Sequence, residues 1–431
     1  MEKNNFRKIA TITLFESAVQ WYCFLLYGTA AGTVFNKVFF SQTGNGTTAL
    51  ILSYMSFAIG YIAGPFGAIF FGHIGDRKGR KVTMYASLLM MGISTSIIGI
   101  LPPAASAGVG VVIVLQLMRL AQCFGRGGTW GGGILMAYEN VPENKRSFYA
   151  AIPQIGLPIG FGLSSILIAV PTLLLPEDIF FTWGWRIPFL AAIILTVIVI
   201  RQKGEMMETE DYKKAQAKLE AEEAEGKKHK VGFKGYWKTL LLGCGTRWVD
   251  GTFYNIFIVW ILSYCINWLG MPLIQTYIIT IIACIFKIPF TLFGGWCAQK
   301  LGNTRTFVIG ALASAVLSIP TLKVIELSKG NLAITIIGIV LGWSIAYNLI
   351  WAVISSLWSS YFETEVRYSG ISFVYHVPSF LVAGMVPTIC TLLINYGKGD
   401  TIYVGIYSTV VALISAACAL ALKARHDRGE K

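Results

Sequence analysis

The sequence predicts an all-α integral membrane protein, with twelve transmembrane helices in two pseudo-symmetric six-helix bundles. Three observations carry this prediction. Of 431 residues, 55% are hydrophobic and 13% charged, and the mean hydropathy is +0.62, too apolar for a soluble chain of this size. Apolar runs of about 20 residues recur, each long enough to cross about 30 Å of hydrocarbon. One long charged segment, 201–236, divides the chain into a 1–200 N-terminal bundle and a 237–431 C-terminal bundle.

Taken in order, span one (10–36) follows the short polar stretch Met1 to Lys8, which has no cleavage site of a signal peptide. Span two (50–72) closes on Gly72-His73-Ile74-Gly75-Asp76-Arg77-Lys78-Gly79-Arg80, and spans three (82–102) and four (110–138) follow. Val111 to Leu117 lead into the fourth, and Ile134 to Ala137 lead out of it. Spans five (148–172) and six (184–200) complete the first half. The linker, rich in Glu, Ala, Lys and Leu, favours a cytoplasmic helix lying along the membrane face. Spans seven (238–267), eight (274–298), nine (305–322), ten (332–358), eleven (368–396) and twelve (401–423) form the second half. The close of span eight, Gly295-Trp296-Cys297-Ala298-Gln299-Lys300-Leu301-Gly302, repeats that of span two at an offset of 223 residues, Gly matching Gly twice and Lys300 matching Arg77. Such internal repeats are a common construction of secondary transporters.

Charge sets the topology and excludes other classes. Lys3, Arg7 and Lys8, then Arg77, Lys78, Arg80 and Lys81, then Lys145 and Arg146, Lys300, and Lys423, Arg425 and Arg428 fall on one side. The other side holds Lys37, Lys323, Lys329 and Lys398. The positive-inside rule then places both termini in the cytoplasm of a cell bounded by a cytoplasmic (inner) membrane. Because most of the +13 net charge sits in these short loops, the partner it implies is the lipid bilayer and not nucleic acid. Eight cysteines lie scattered through the spans without a Cys-x-x-Cys pair, so they read as small buried residues and no metal is expected. No phosphate-cradling Gly-Lys-Ser/Thr loop appears, so neither ATP-driven pumping nor a bound cofactor is expected.

The stretch Gly72-x-x-x-Asp76-Arg77-x-Gly79-Arg80-Lys81 resembles the loop-2/3 signature of the major facilitator superfamily. Within it the chain is similar to the metabolite:proton symporter branch, which includes carriers of α-ketoglutarate, citrate, shikimate and proline or betaine. The resemblance extends over nearly the whole length. It includes Gln20-Trp21-Tyr22-Cys23-Phe24 with Leu26-Tyr27-Gly28, Arg119-Leu120-Ala121-Gln122, Gly127-Gly128-Thr129-Trp130-Gly131-Gly132, Trp183-Gly184-Trp185-Arg186-Ile187-Pro188-Phe189-Leu190 and Arg367-Tyr368-Ser369-Gly370. It implies the major facilitator fold, alternating access around a central cavity, and proton symport. The departures are acids: Gln20 and Cys23 stand where the family has Glu and Asp in span one, and Thr129 where it has Glu in span four. In the family those carboxylates are the natural candidates for carrying the coupled proton.

What remains charged inside the membrane is costly and therefore points to function. Arg119, Gln122 and Arg126 are spaced i, i+3 and i+7 and share one helix face. Arg119 belongs to the family motif and reads as structural or gating. Arg126 stands where the family has an apolar residue, and reads either as a fork for a substrate carboxylate or as an interhelical clamp. Lys287 lies in mid-span eight, and its repeat counterpart is the neutral Gly64. Asp250, three residues after Arg247, is an ion-pair partner, a substrate contact or the proton site. Glu16 lies one turn before Gln20, Glu139 and Glu143 flank a loop, and a lone His376 lies in span eleven. Trp343, Tyr347 and Trp351, at i, i+4 and i+8 with Asn348 beside them, and Trp21, Tyr22, Trp130 and Tyr254 at middle depth, would box an anion or simply pack the bundle.

The expected function is secondary transport of a small organic anion, a mono- or dicarboxylate, proton-coupled by resemblance. The alternatives are an anion exchanger or uniporter, or a zwitterionic osmolyte carrier. Substrate would meet Arg126, Lys287, Trp130, Asn255, Tyr347, Trp351, Gln20 and Tyr22, with coupling or gating by Asp250, Arg247, Glu16, Asp76, Arg77, Arg80 and Arg119. No paired catalytic carboxylates, nucleophile triad or metal cluster suggests an enzyme, and a monomer is expected.

Overall fold

A computed structural model describes residues 3–43, 45–78, 80–139, 145–202 and 235–430. The linker expected as a surface helix and Glu143 lie outside the described residues, as do the side chains of Asp76, Arg77, Arg80, Thr129, Trp130 and Glu139. Twelve helical rods follow one another: α1 (Lys3–Thr33), α2 (Gly46–Lys78), α3 (Arg80–Ile100), α4 (Val109–Glu139), α5 (Arg146–Leu174), α6 (Glu177–Arg201), α7 (Trp237–Asn267), α8 (Leu273–Leu301), α9 (Asn303–Leu327), α10 (Leu332–Tyr361), α11 (364–396) and α12 (Ile402–Asp427). Ten are long and apolar enough to cross a membrane by length and composition alone. The other two are α1, whose first turns are polar, and α11, interrupted after His376 and resumed as the apolar Val386–Tyr396.

The helices follow the predicted runs and overshoot them by a turn or so, because helix geometry continues into the headgroup region where side chains are already polar. Four rods contain a π-helical stretch: Phe180–Gly184 in α6, Ile256–Trp260 in α7, Val340–Ala346 in α10 and Phe380–Gly384 in α11. Such widened turns shift the side chains that follow onto a new face and cluster at functional sites. Three of the four interrupt rods that carry the site described below.

Within the first half, α2 and α4 touch backbone to backbone. A Cβ on Gly67 would lie 1.9 Å from the Phe124 carbonyl oxygen, and one on Gly127 would lie 2.5 Å from that of Gly64. Lipid supplies no hydrophobic drive between helices, so this close van der Waals contact is what joins them, and it fixes the height of Arg126 beside Gly127. In the second half α7 is the innermost rod, with 94% of its apolar window buried. It therefore faces protein rather than lipid along its length, and its charged and polar residues point at neighbours.

The halves meet through α5 against α8 and through α2 against α11. A shift of six helices turns α2 into α8 and α5 into α11, so these two junctions are one contact seen from both sides of a pseudo-two-fold axis. Hydrogen bonds close the junction near both ends. On the face away from the termini, Tyr54 Oη donates to Ser263 Oγ at 2.7 Å and the Thr33 and Tyr277 hydroxyls are 3.2 Å apart. On the face of the termini, Ser147 Oγ donates to Asn303 Oδ1 at 2.9 Å. About two turns deeper, Gln154 Nε2 donates to the Trp351 carbonyl at 3.1 Å while Trp351 Nε1 donates to the Gln154 carbonyl at 3.0 Å. The two halves are thus bonded to each other near both surfaces.

Candidate functional site

Midway between the two closures, four cationic side chains are buried: Arg119 and Arg126 on α4, Arg247 on α7 and Lys287 on α8. Asp250 on α7 is the buried acid among them, and buried Glu16 lies further toward the face of the termini. Unpaired buried charge costs several kcal/mol, so the partners of each cation decide its role.

Arg119 is satisfied within the first half. Its guanidinium sits 4.4, 4.5 and 4.6 Å from the ring centres of Phe24, Tyr27 and Phe57. It donates to Gln122 Oε1 and, at 3.4 Å, to the Phe57 carbonyl. Gln122 in turn donates to the Cys23 carbonyl at 2.9 Å and to Thr95 Oγ1 at 2.7 Å. All these partners belong to α1, α2, α3 and α4, so Arg119 staples one bundle together.

Arg126, two turns on, faces the other half. Its guanidinium lies 3.8 Å from the Phe24 ring centre and 4.6 Å from that of Trp21, and it donates to Tyr375 Oη on α11. The Tyr375 ring carries a second guanidinium, Arg247, at 4.4 Å. Arg247 is ion-paired with Asp250, whose other oxygen accepts from Tyr347 Oη on α10. The Tyr347 ring then receives Lys287 Nζ at 4.5 Å, and Trp343 receives the same nitrogen at 4.6 Å. One chain of contacts therefore runs from Arg126 in the first half to Lys287 in the second through Tyr375, Arg247, Asp250 and Tyr347.

Lys287 ends that chain with little to hold it. Its hydrogen-bonding partner is the Trp343 carbonyl at 3.4 Å, and no carboxylate lies within ion-pair distance among the described residues. Around Arg126, buried polar atoms stand without partners: Trp21 Nε1, Tyr61 Oη, Tyr254 Oη and His376 Nε2. Trp21 packs on Tyr254 at 5.7 Å and on Trp351 at 5.4 Å, and Tyr61 packs on Phe24 at 5.4 Å. Buried donors left unpaired beside buried cations are the lining an anion would complete.

The remaining expected residues fall as follows. Tyr347 is in the chain, and Trp351 edges Trp21 while its indole N–H is committed to Gln154. Asn255 donates to its own helix at the Gly251 carbonyl, 2.8 Å away, and leaves Oδ1 without a partner. Gln20 is buried with Nε2 without a partner. Tyr22 turns away from the junction and donates to the Pro188 carbonyl of α6 at 2.5 Å. Sequence reasoning missed Tyr375, Tyr61 and Gln154. Their signal was faint, a hydroxyl or amide in an apolar run with no charge beside it. Gly64, the neutral repeat counterpart of Lys287, has a reason of its own: a Cβ there would lie 2.8 Å from Nδ1 of His376.

The profile of the Major Facilitator Superfamily matches residues 21–382. Among relatives, the chain is 34% identical to an inner membrane metabolite transport protein of Escherichia coli (strain K12), over 98% of this chain and 96% of that one. It is 31% identical to the shikimate transporter of the same organism, over 97% and 94%, and 27% identical to the proline/betaine transporter of Salmonella typhimurium (strain LT2), over 99% and 85%. Among solved structures, the D-xylose-proton symporter superposes with a TM-score of 0.72 over 96% of both chains at 16% identity, a likeness of fold alone.

Proposed function

The chain belongs to the major facilitator superfamily, which makes it a multi-pass membrane transporter of metabolites and not an enzyme, and from that premise we propose that its cargo is a small carboxylate. The observation that carries this reading is the excess of buried basic side chains over acids at the junction of the halves, where among the described residues Arg126, Arg247 and Lys287 share the site with one acid, Asp250. A carboxylate entering between Arg126 and Tyr375 would take the guanidinium in a bidentate fork and draw on the unpartnered Trp21, Tyr61 and Tyr254 donors. Its charge would offset cations contributed by both halves, so it would favour the occluded arrangement over either open one. That difference is what a substrate must supply to drive alternating access. Arg119, confined to the first half, is a positioning residue that sets the pitch of α4 and hence the aim of Arg126.

A zwitterionic osmolyte fits less well. A quaternary ammonium needs free aromatic faces, and here the faces of Phe24, Tyr375, Trp343 and Tyr347 already hold Arg126, Arg247 and Lys287. Proton coupling is adopted from the family resemblance. The loop cations support both termini in the cytoplasm of an inner-membrane protein, working as a monomer because each bundle pair encloses a complete site.

The test is counterflow in proteoliposomes, with a panel of monocarboxylates, dicarboxylates and betaines trapped inside. Exchange with at least one carboxylate and none with betaine is the expected result. Exchange confined to betaine or to uncharged metabolites would overturn the reading.

A further inference from the structure

We propose that Lys287 carries the coupled proton: its amine is neutral in the empty carrier, accepts one proton from water as a carboxylate binds beside it, and returns that proton when the carboxylate leaves. This rests on the carboxylate reading above and deepens it. The three family positions that would hold acids in α1 and α4 are Gln20, Cys23 and Thr129, so the proton needs another seat. Asp250 is poorly suited, being committed to Arg247 on one oxygen and to Tyr347 on the other.

The geometry around Lys287 favours a neutral amine until an anion arrives. The side chain is fully buried, at 0% exposure, and its contacts are two ring faces and one carbonyl at 3.4 Å. Among the described residues, no element packed against α8 forms an ion pair with Lys287. On α8 itself the neighbour is Cys284, and α7 offers Asp250 at longer range, already paired. Beside these, α10 presents Tyr347, and the Gly156–Leu174 part of α5 has no titratable side chain. Arg146 and Tyr149 lie at the start of α5, and Arg305, Lys323 and Glu326 at the ends of α9. An ammonium so placed gains its missing counter-ion only from substrate, so proton and carboxylate favour each other's binding. The step balances as one N–H bond made from a solvent proton on entry and broken on exit. A monocarboxylate then crosses with one proton and no net charge.

Arginine in this position would keep the positive charge and could not give up its proton. The experiment compares wild type with Lys287→Arg in proteoliposomes, using a carboxylate that wild type counterflows. Under an inward gradient of about one pH unit, wild type should accumulate a monocarboxylate about tenfold, insensitive to membrane potential. Lys287→Arg, at whatever rate it still counterflows, should accumulate nothing under that gradient. Accumulation by Lys287→Arg equal to wild type overturns the proposal, as does a wild type that counterflows but ignores the gradient; in both cases the carboxylate reading survives. Absence of any carboxylate counterflow by wild type would instead sink the reading itself and the proposal with it. Should Lys287→Arg fail to fold or to counterflow, wild type in weak buffer with a pH indicator decides: uptake of about one proton per carboxylate bound supports the proposal, and none refutes it.

Discussion

Replacing Arg126 with Gln separates what this residue does for substrate from what it does for the fold. In the empty protein the substitution removes ring-face contacts with Phe24 and Trp21, worth about 0.5–2 kcal/mol each. It also removes a buried charge whose desolvation costs several kcal/mol. These effects oppose each other, and the Gln amide can still reach toward Tyr375, so the unfolding midpoint of empty protein should move by no more than about 3 °C. Substrate has no such compensation. Truncating one member of a buried, hydrogen-bonded charge pair costs about 2–5 kcal/mol, and the lower half of that range applies because Arg247 and Lys287 still contribute positive potential. A loss of about 2–3 kcal/mol weakens binding roughly 30- to 150-fold. The assay is a thermal-shift titration of purified wild type and Arg126→Gln with the carboxylate identified by counterflow. A midpoint lowered by well over 3 °C without ligand, together with binding within about threefold of wild type, would refute the reasoning, because Arg126 would then be a clamp and nothing more.

Other outcomes follow from single contacts. Gly67→Ala drives a methyl into the Phe124 carbonyl and should destabilise by about 1–3 kcal/mol, whereas Gly110→Ala, with open space around it in the same bundle, should be neutral or stabilising by thermal melt. Tyr54→Phe deletes the hydroxyl bridge to Ser263, worth about 1 kcal/mol; labelling of the buried Cys265 by an impermeant maleimide, in a background lacking other cysteines, should rise about fivefold. Unchanged labelling would mean this bond does not hold the closure. At the surface, the Lys323 ammonium, 2.6 Å from Asp400, holds that carboxyl below its ordinary value. A depressed carboxyl contributes stability above its unfolded pKa and loses it as pH falls through the folded one. The melting profiles of wild type and Asp400→Asn should therefore differ at neutral pH, begin to converge as pH falls below about 4 and meet only once the depressed carboxyl is itself protonated; a difference that persists at that acid limit would point to a non-ionic role.

Much of this protein was legible one residue at a time. The spans could be drawn because each must present about 20 apolar residues to lipid, and α8, expected over 274–298, forms over Leu273–Leu301. Arg126, Arg247, Asp250 and Lys287 announced themselves because charge within such a run is rare. Even the Arg247–Asp250 pair was within reach, since three residues along a helix bring two side chains to one face.

Partners across the fold were not legible. Tyr375 lies 249 residues from Arg126, and Tyr347 lies 97 from Asp250; no local period links them, and a tyrosine in an apolar span looks like any other packing residue. Helix spacing put Arg119 and Arg126 on one face, and only the family resemblance gave them different readings, the first as structural or gating and the second as a substrate ligand or a clamp. Tertiary packing set them apart, enclosing the first among three rings of its own bundle and turning the second toward the other half. The sequence by itself thus determined where the charges sit in depth, because hydropathy is a property of the local chain. Which side chain each basic residue meets was decided by the tertiary structure, because such contacts depend on distances of a few ångströms between helices far apart in sequence.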